Sequence, residues 1–321
     1  MEFIRGLHNI RPEHRGCAIT IGNFDGVHLG HRALIAQVAE RARVLRVPSL
    51  VMLFEPQPQE YFRPDVSPPR LMRLREKLVA LAGLPVDRVL CVRFNAEVAA
   101  LTPDAFIEQI LTARLGVRYL AVGEDFRFGH ARKGDIETLR RAGGRYGFEV
   151  AAAATFEVDG ERVSSTRVRA ALAAGNMELT KKLLGRPYWM CGKVAHGDKI
   201  GRGIGVPTAN IALQRHRAPV DGIFVVEVVI SGERLPAVAS VGTRPTVGGS
   251  TPLLEVHVLD FDRNVYGAHV QVDFLHRLRE ERRFDSLEQM RDQIARDIEA
   301  ARQYFNALSG SRPAALSVFR P

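Results

Sequence analysis

The stretch Cys17-Ala18-Ile19-Thr20-Ile21-Gly22-Asn23-Phe24-Asp25-Gly26-Val27-His28-Leu29-Gly30-His31 decides the fold of the first half of this chain. A largely apolar run, Ala18 to Ile21, ends in a Gly-rich turn, and two histidines follow where a helix should begin. A helix N-terminus offers unpaired N–H groups and a partial positive charge, so it binds phosphate well. Residues three apart share one helix face, so His28 and His31 can reach the same ligand. A site of this kind can hold a nucleoside triphosphate while its α-phosphate is attacked. The same spacing would also serve a zinc pair, or two surface histidines on an ordinary helix.

Outward from that turn, strand-like and helix-like segments alternate. Strands are predicted at Cys17–Gly22, Ser49–Phe54, Arg88–Phe94, Val117–Gly123 and Phe148–Thr155. Helices are predicted at His28–Val44, at Pro69–Ala82 with apolar residues at 71, 74, 78 and 81, and at Gly134–Tyr146. Thr102-Pro103-Asp104 supplies an N-cap, a proline at the first helical position and an acid. Alternation of this kind means βαβ units, a parallel sheet and ligands at the carboxyl ends of the strands. His28, the turn after Phe54 and the turn after Gly123 should therefore meet in one cleft. Two further helices are predicted, Ser165–Ala174 with Gly175 as its stop, and Asn176–Leu184 with Asn176 as N-cap.

Helical periodicity is absent from residues 187 to 280. Runs at Tyr188–Val194, Ile223–Ile230, Ala237–Val241, Leu253–Leu259 and His269–Phe274 predict a small antiparallel barrel or sandwich. Ser286-Leu287-Glu288-Gln289 is a capping box, and the helix it opens has apolar residues at 287, 290, 294, 298, 301 and 305. The expected fold class is an α/β N-terminal domain with a parallel sheet, then a C-terminal antiparallel β-barrel with a terminal helix. The boundary is expected near Gly185-Arg186-Pro187, giving domains 1–186 and 187–308 and a loose tail 309–321.

The chain has 321 residues, 46% hydrophobic and 25% charged, with a net charge of +9. Cys17, Cys91 and Cys191 are widely spaced and form no CxxC motif, so neither a zinc ribbon nor a disulfide framework is suggested, and a reducing, cytoplasmic setting fits best. No apolar run approaches the ~20 residues of a membrane span. Met1-Glu2-Phe3-Ile4-Arg5 lacks the charged-then-apolar layout of a signal peptide. The arginines are spread along the chain, and the densest patch, Arg70, Arg73, Arg75 and Lys77, is predicted to be a solvated helix face. Phosphorylated small substrates suit the charge, and neither a nucleic acid nor a membrane is expected as partner. Oligomeric state is not specified.

Other motifs carry chemistry at element ends. Val163-Ser164-Ser165-Thr166-Arg167-Val168-Arg169 combines hydroxyls, a helix start and two guanidinium groups, which suits a phosphate clamped by Arg167 or Arg169; a plain helix cap reads the same way. Phe54-Glu55-Pro56-Gln57-Pro58 could wall a flat ring with Phe54, Pro56 and Pro58, or simply turn. Gly123-Glu124-Asp125-Phe126-Arg127-Phe128-Gly129 offers an aromatic-ring site around Asp125, Phe126 and Phe128, or a loop anchored by its aromatics. In the second half, His196-Gly197-Asp198-Lys199-Ile200-Gly201-Arg202-Gly203-Ile204-Gly205 could close around phosphates, or be a flexible barrel loop. Pro207-Thr208-Ala209-Asn210 places Thr208 and Asn210, both hard oxygen donors, on one face of an extended segment, fit for Mg²⁺ or a phosphate edge. Glu255, between Leu254 and Val256, is a candidate general base for a substrate hydroxyl, or an outward-facing residue of an alternating strand.

Together these motifs resemble the prokaryotic bifunctional riboflavin kinase/FAD synthetase family, in the right order from about residue 15 to about residue 305. Gly22-Asn23-Phe24 through His28 and His31 resembles its adenylyltransferase signature, Phe54-x-Pro56-x-Pro58 and Asp125-Phe126-x-Phe128-Gly129 its flavin-side motifs, and Ser164-Ser165-Thr166-x-Val168-Arg169 its second phosphate motif. His196-Gly197-Asp198, Gly201-Arg202, Pro207-Thr208-Ala209-Asn210, Glu255 and Leu278-Arg279-x-Glu281-x-x-Phe284 resemble its kinase module. Arg282-Arg283 and Glu124 are less typical. The resemblance implies a Rossmann-like nucleotidyltransferase domain and two reactions. ATP phosphorylates riboflavin to FMN with Glu255 acting on the 5′-hydroxyl and with Mg²⁺ on Thr208 and Asn210. The nucleotide would lie against Gly197, Lys199, Gly201, Arg202 and Pro207, and the flavin near Arg279. A second ATP then adenylylates FMN to FAD and releases pyrophosphate, with His28, His31, Asn23, Ser164, Ser165 and Arg167 or Arg169 stabilising charge. The alternative is a single-activity nucleotidyltransferase with an inert C-terminal domain; a further rival is a binding module without catalysis.

Overall fold

The computed structural model describes residues 1–195, 206–246 and 249–310. By chain contacts these form two compact units, 1–68 with 72–165, and 69–71 with 166 onward. Leu183 and Leu184 are fully buried and their helix packs on barrel strands, so both helices after Ser165 are grouped with the barrel.

The first unit is built on a six-stranded sheet, β1 (Glu2–Arg5), β2 (Cys17–Ile21), β3 (Ser49–Glu55), β4 (Arg88–Arg93), β5 (Val117–Val122) and β6 (Glu149–Ala152), in the order β1-β4-β3-β2-β5-β6. All its pairings are parallel. Parallel strands are covered on both faces, which is why Leu50–Phe54 and Tyr119–Val122 read as continuous apolar runs. Ile19, Ile21, Leu50, Met52, Leu90 and Leu120 fill one side, while Ala18, Tyr119 and Ala121 meet Val38 and Ala42 on the other.

The helices are α1 (Leu29–Leu45), α2 (Pro58–Phe62), α3 (Leu74–Ala82), α4 (Ala96–Ala100), α5 (Pro103–Phe106, continuing as a π-helical stretch Ile107–Arg114) and α6 (Ile136–Tyr146). Thr102 caps α5 through the Ala105 N–H at 3.1 Å, and Asp135 caps α6 through the Thr138 N–H at 2.9 Å. Three expectations shift. The helix predicted from Pro69 begins at Leu74, because the Arg73 N–H is taken by the Glu76 carboxylate at 2.6 Å and residues 69–71 are grouped with the other unit. The strand predicted over Phe148–Thr155 is confined to Glu149–Ala152. β1 was not foreseen, since it is only four residues long and only Ile4 is buried.

A small hairpin, β7 (Glu157–Val158) and β8 (Glu161–Arg162), leads into α7 (Ser165–Ala173) and α8 (Met177–Leu184). The second unit is a closed barrel of β9 (Tyr188–Ala195), β10 (Ala209–Ala212), β11 (Gly222–Ile230), β12 (Glu233–Thr246), β13 (Gly249–Val258) and β14 (His269–Arg279), ordered β10-β13-β12-β11-β14-β9 and antiparallel throughout. The strand missing from the predicted set is β10, too short to show a period of its own. The terminal helix α9 (Leu287–Gly310) is capped by the Ser286 hydroxyl, which accepts from the Gln289 N–H at 3.2 Å, and Ala301, Ile298 and Phe305 pack against Ile223, Val225 and Val238. The helix includes residues 309 and 310 of the expected tail; the rest of that segment lies outside the described residues.

Candidate functional site

Between β2 and α1 the backbone turns through Phe24 (φ 48°), Gly26 (φ 86°) and Val27 (φ 43°). A positive φ is unfavourable for β-branched Val, so burial must hold it there; Phe24 and Val27 are both buried. Asp25, also buried, accepts the Met72 N–H on Oδ1 at 2.9 Å, and its carbonyl accepts the Ser165 hydroxyl at 2.8 Å. These bonds tie the turn to Met72 and to Ser165 of the same unit.

His28 is the N-cap of α1, and its Nδ1 accepts the His31 N–H at 3.3 Å. With Nδ1 occupied as acceptor, the neutral ring carries its proton on Nε2, where it can donate. The His31 ring stacks on it at 3.6 Å and lies 5.0 Å from Phe24. Burial, helped by the charges of His28 and Lys77, holds His31 well below the usual histidine range. His31 is thus neutral at pH 7, and its buried Nδ1 has no hydrogen-bond partner in the described structure.

The two histidines line a cavity of about 280 Å³ with Gly22, Phe24, Gly123–Phe126, Ala153–Phe156 and Arg162–Ser165. It lies at the strand ends where the winding reverses, since β3 and β4 lie on one side of β2 and β5 and β6 on the other. The loops after β2 and β5 converge as expected. The Phe54–Pro58 turn does not line this cavity, because β3 stands on the opposite flank of β2. Phe54 instead packs edge-on to Phe94, around which Tyr61 and Phe62 also cluster at 5.4 and 5.7 Å. Phe62 is 62% exposed. Those three aromatics escaped the sequence reading, although Tyr61-Phe62 closely follows Pro58.

Arg162 was also missed. Its guanidinium donates to both Asp125 oxygens, at 3.1 and 3.2 Å, and holds that carboxyl below the usual range. Phe126 lines the cavity, whereas Phe128 is buried in the core between Phe126 and Phe106, the anchoring role that stood as the alternative. Ser164 and Ser165 line the cavity. Thr166, Arg167 and Arg169 fall in the second unit, where Arg169 Nε donates to the Pro69 carbonyl at 2.8 Å. The basic face predicted at Arg70–Lys77 is corrected: Glu76 and Lys77 are fully buried, and the Lys77 ammonium donates to the Asn23 carbonyl at 2.7 Å. A buried ammonium needs such an acceptor, which the backbone of the turn supplies.

In the barrel, Asn210 stands directly opposite Glu255, and Glu255 opposite Ser240, so three polar side chains share one row on one face. Glu255 alternates with fully buried Leu254 and Val256 and is itself half-buried. His257, two residues on, pairs through Nδ1 with the Pro207 carbonyl at 2.9 Å and so fixes the segment that carries Thr208. A cavity of about 540 Å³ opens there, lined by Pro207, Thr208, Ala209, Val256, Phe261 and Tyr266. Arg279 is engaged: its guanidinium chelates Asp297 of α9 at 2.7–3.1 Å and donates to the Glu280 carbonyl at 3.0 Å. Gly197, Lys199, Gly201 and Arg202, with the rest of the loop 196–205, lie outside the described residues.

Residues 10–167 match the family model for FAD synthetase, and residues 184–305 match that for riboflavin kinase. The chain belongs to the bifunctional riboflavin kinase/FMN adenylyltransferase family. Members are similar over nearly the whole length. The Escherichia coli K12 protein of that name is 52% identical over 307 residues, covering 95% of this chain and 98% of its own. The Haemophilus influenzae member is 46% identical, covering 96% and 100%. A crystal structure described as a macrolide-efflux protein from Streptococcus pneumoniae is 31% identical with a TM-score of 0.79, covering 94% and 99%. No described helix of the present chain is long and apolar enough to cross a membrane. With both halves of the bifunctional family present, a single-activity nucleotidyltransferase is not favoured.

Proposed function

We propose that the His28–His31 cavity is where FMN is adenylylated and that the Asn210–Glu255 row is where riboflavin is phosphorylated. The chain is a riboflavin kinase and FMN adenylyltransferase, and the stacked histidine pair at a helix N-terminus, with His31 held neutral by burial, is the observation that carries the first assignment. FMN phosphate is already an anion at neutral pH, so its attack on the α-phosphorus of ATP needs no strong base. It needs donors that stabilise the developing charge without stacking two cations at 3.6 Å. His28 and His31 supply ring N–H groups, α1 its free amides, and Ser164, Ser165 and Asn23 further polar contacts. Arg162, held by Asp125 at the cavity wall, is a further cation within reach of pyrophosphate. Phe54, Pro56 and Pro58, with exposed Phe62, stand on the other flank of β2 and would meet the flavin ring outside the cavity itself.

In the barrel, Glu255 orients the riboflavin 5′-hydroxyl and accepts its proton as the γ-phosphoryl of ATP is transferred. The apolar, aromatic cavity beside Thr208 accommodates the nucleotide base. Thr208 and Asn210, hard oxygen donors beside a carboxylate, fit Mg²⁺. When bound, Mg²⁺ neutralises charge on the phosphates. Three free cysteines suit a cytoplasmic setting. The FMN adenylyltransferase function is placed in residues 1–186 and the kinase in 187–308.

The test is product chromatography after incubation with riboflavin, ATP and Mg²⁺. The wild-type chain should yield FAD, His28→Ala should stop at FMN, and Glu255→Ala should fail with riboflavin yet convert supplied FMN. A Glu255→Ala protein that still makes FMN would remove the kinase assignment.

A further inference from the structure

Lys77 is fully buried on α3, outside the phosphate- and flavin-side motifs, and its ammonium lies 2.7 Å from the carbonyl of Asn23 in the signature turn. The Asn23–Phe24 peptide is trans. In a trans peptide the carbonyl and the next N–H point to opposite edges, so pinning the Asn23 carbonyl to Lys77 turns the Phe24 N–H away from α3. Phe24 and His31 both line the adenylylation cavity. A fixed positive charge beneath that floor is poorly screened, because no water reaches it.

We infer that Lys77 is a positioning residue for adenylyl transfer: its buried ammonium sets the peptide at Asn23–Phe24 and supplies fixed positive charge behind the triphosphate. The inference rests on the assignment of FMN adenylylation to the His28–His31 cavity. It has a consequence at His31. That ring faces His28 on its own helix and Lys77 from α3, while Glu124 and Asp125 after β5 and Arg162 of β8 line the same cavity. The Lys77 charge opposes protonation of His31, so neutralising it lets His31 take up a proton at higher pH.

The experiment measures both reactions of the full chain for Lys77→Met and Lys77→Arg across pH, with His28→Ala beside them. Lys77→Met should lower kcat/KM for FMN adenylylation by about 10- to 100-fold, less than the loss of a direct donor. Its acid limb should move to higher pH, while riboflavin phosphorylation in the other unit stays unchanged. Lys77→Arg, which keeps the charge, should keep the wild-type acid limb even where its rate falls. A Lys77→Met protein with wild-type adenylylation, or with a lowered rate on an unmoved acid limb, overturns the inference. If Met does not fold at this position, a displaced acid limb in Lys77→Arg overturns it equally. Should His28→Ala itself adenylylate FMN normally, the cavity assignment falls; if it is inactive while Lys77→Met is untouched, only the role of Lys77 falls.

Discussion

Single side chains here do unlike work according to what surrounds them. His28 and His31 are three residues apart, yet one is defined by a bond to its neighbour's backbone and the other by burial. Cys17 shows the same dependence. Its thiol is enclosed by the sheet and pushed up to about 12, with the Leu115 carbonyl 3.9 Å from Sγ. In the unfolded chain a cysteine ionises near pH ~8.5. Between those values only the unfolded thiol loses its proton, so stability must fall as pH rises, by at most about 1.4 kcal/mol per pH unit. Replacing Cys17 with Ala should flatten the alkaline fall in stability between about pH 9 and 11 relative to wild type, as read by urea titration. Parallel curves would show that the thiol ionises freely in the folded state.

At the scale of elements, the clamp between β14 and α9 is the clearest device. Arg279 and Asp297 form a bidentate pair whose carboxylate is nearly enclosed, and Gln293 adds a bond to Asp297 at 2.9 Å. Removing one partner of such a pair strands the other charge, so Asp297→Ala should destabilise the barrel by about 3–5 kcal/mol. The melting transition of the kinase unit should drop while FMN adenylylation persists below it; an unchanged transition would mean that α9 is held by its apolar face alone. This clamp also shows where sequence reading stops. Arg279 stood out through its motif, but nothing in the chain says that its partner waits on a helix eighteen positions away. The parallel sheet, α1 and its capping histidine were legible because an apolar run, a glycine turn and a helical period are local signals. Lys77 and Arg162 were not, since a buried lysine and a solvated one have the same neighbours in sequence. The strand β1 was invisible because its partner, β4, is remote.

At the scale of the molecule, sequence motifs and packing divide the chain at different places. Motifs change character near Gly185, whereas α7 and α8 are grouped with the barrel, α8 against β9 and β14. Two fragments discriminate these lines. A barrel fragment beginning at Thr166 should melt higher than one beginning at Pro187, because the latter exposes the surface that Leu183 and Leu184 cover. Equal melting points would make those helices an appendage. The pairing of β1 with β4 sets a schedule for synthesis as well. During synthesis β1 has no partner until β4, ending at residue 93, has followed it. At roughly 5–20 residues per second that is a wait of seconds, far longer than the ~0.1–1 μs in which a helix relaxes. For that interval β1 is an unpaired strand, and its length of only four residues, two of them the charged Glu2 and Arg5, keeps it from favouring the wrong partner.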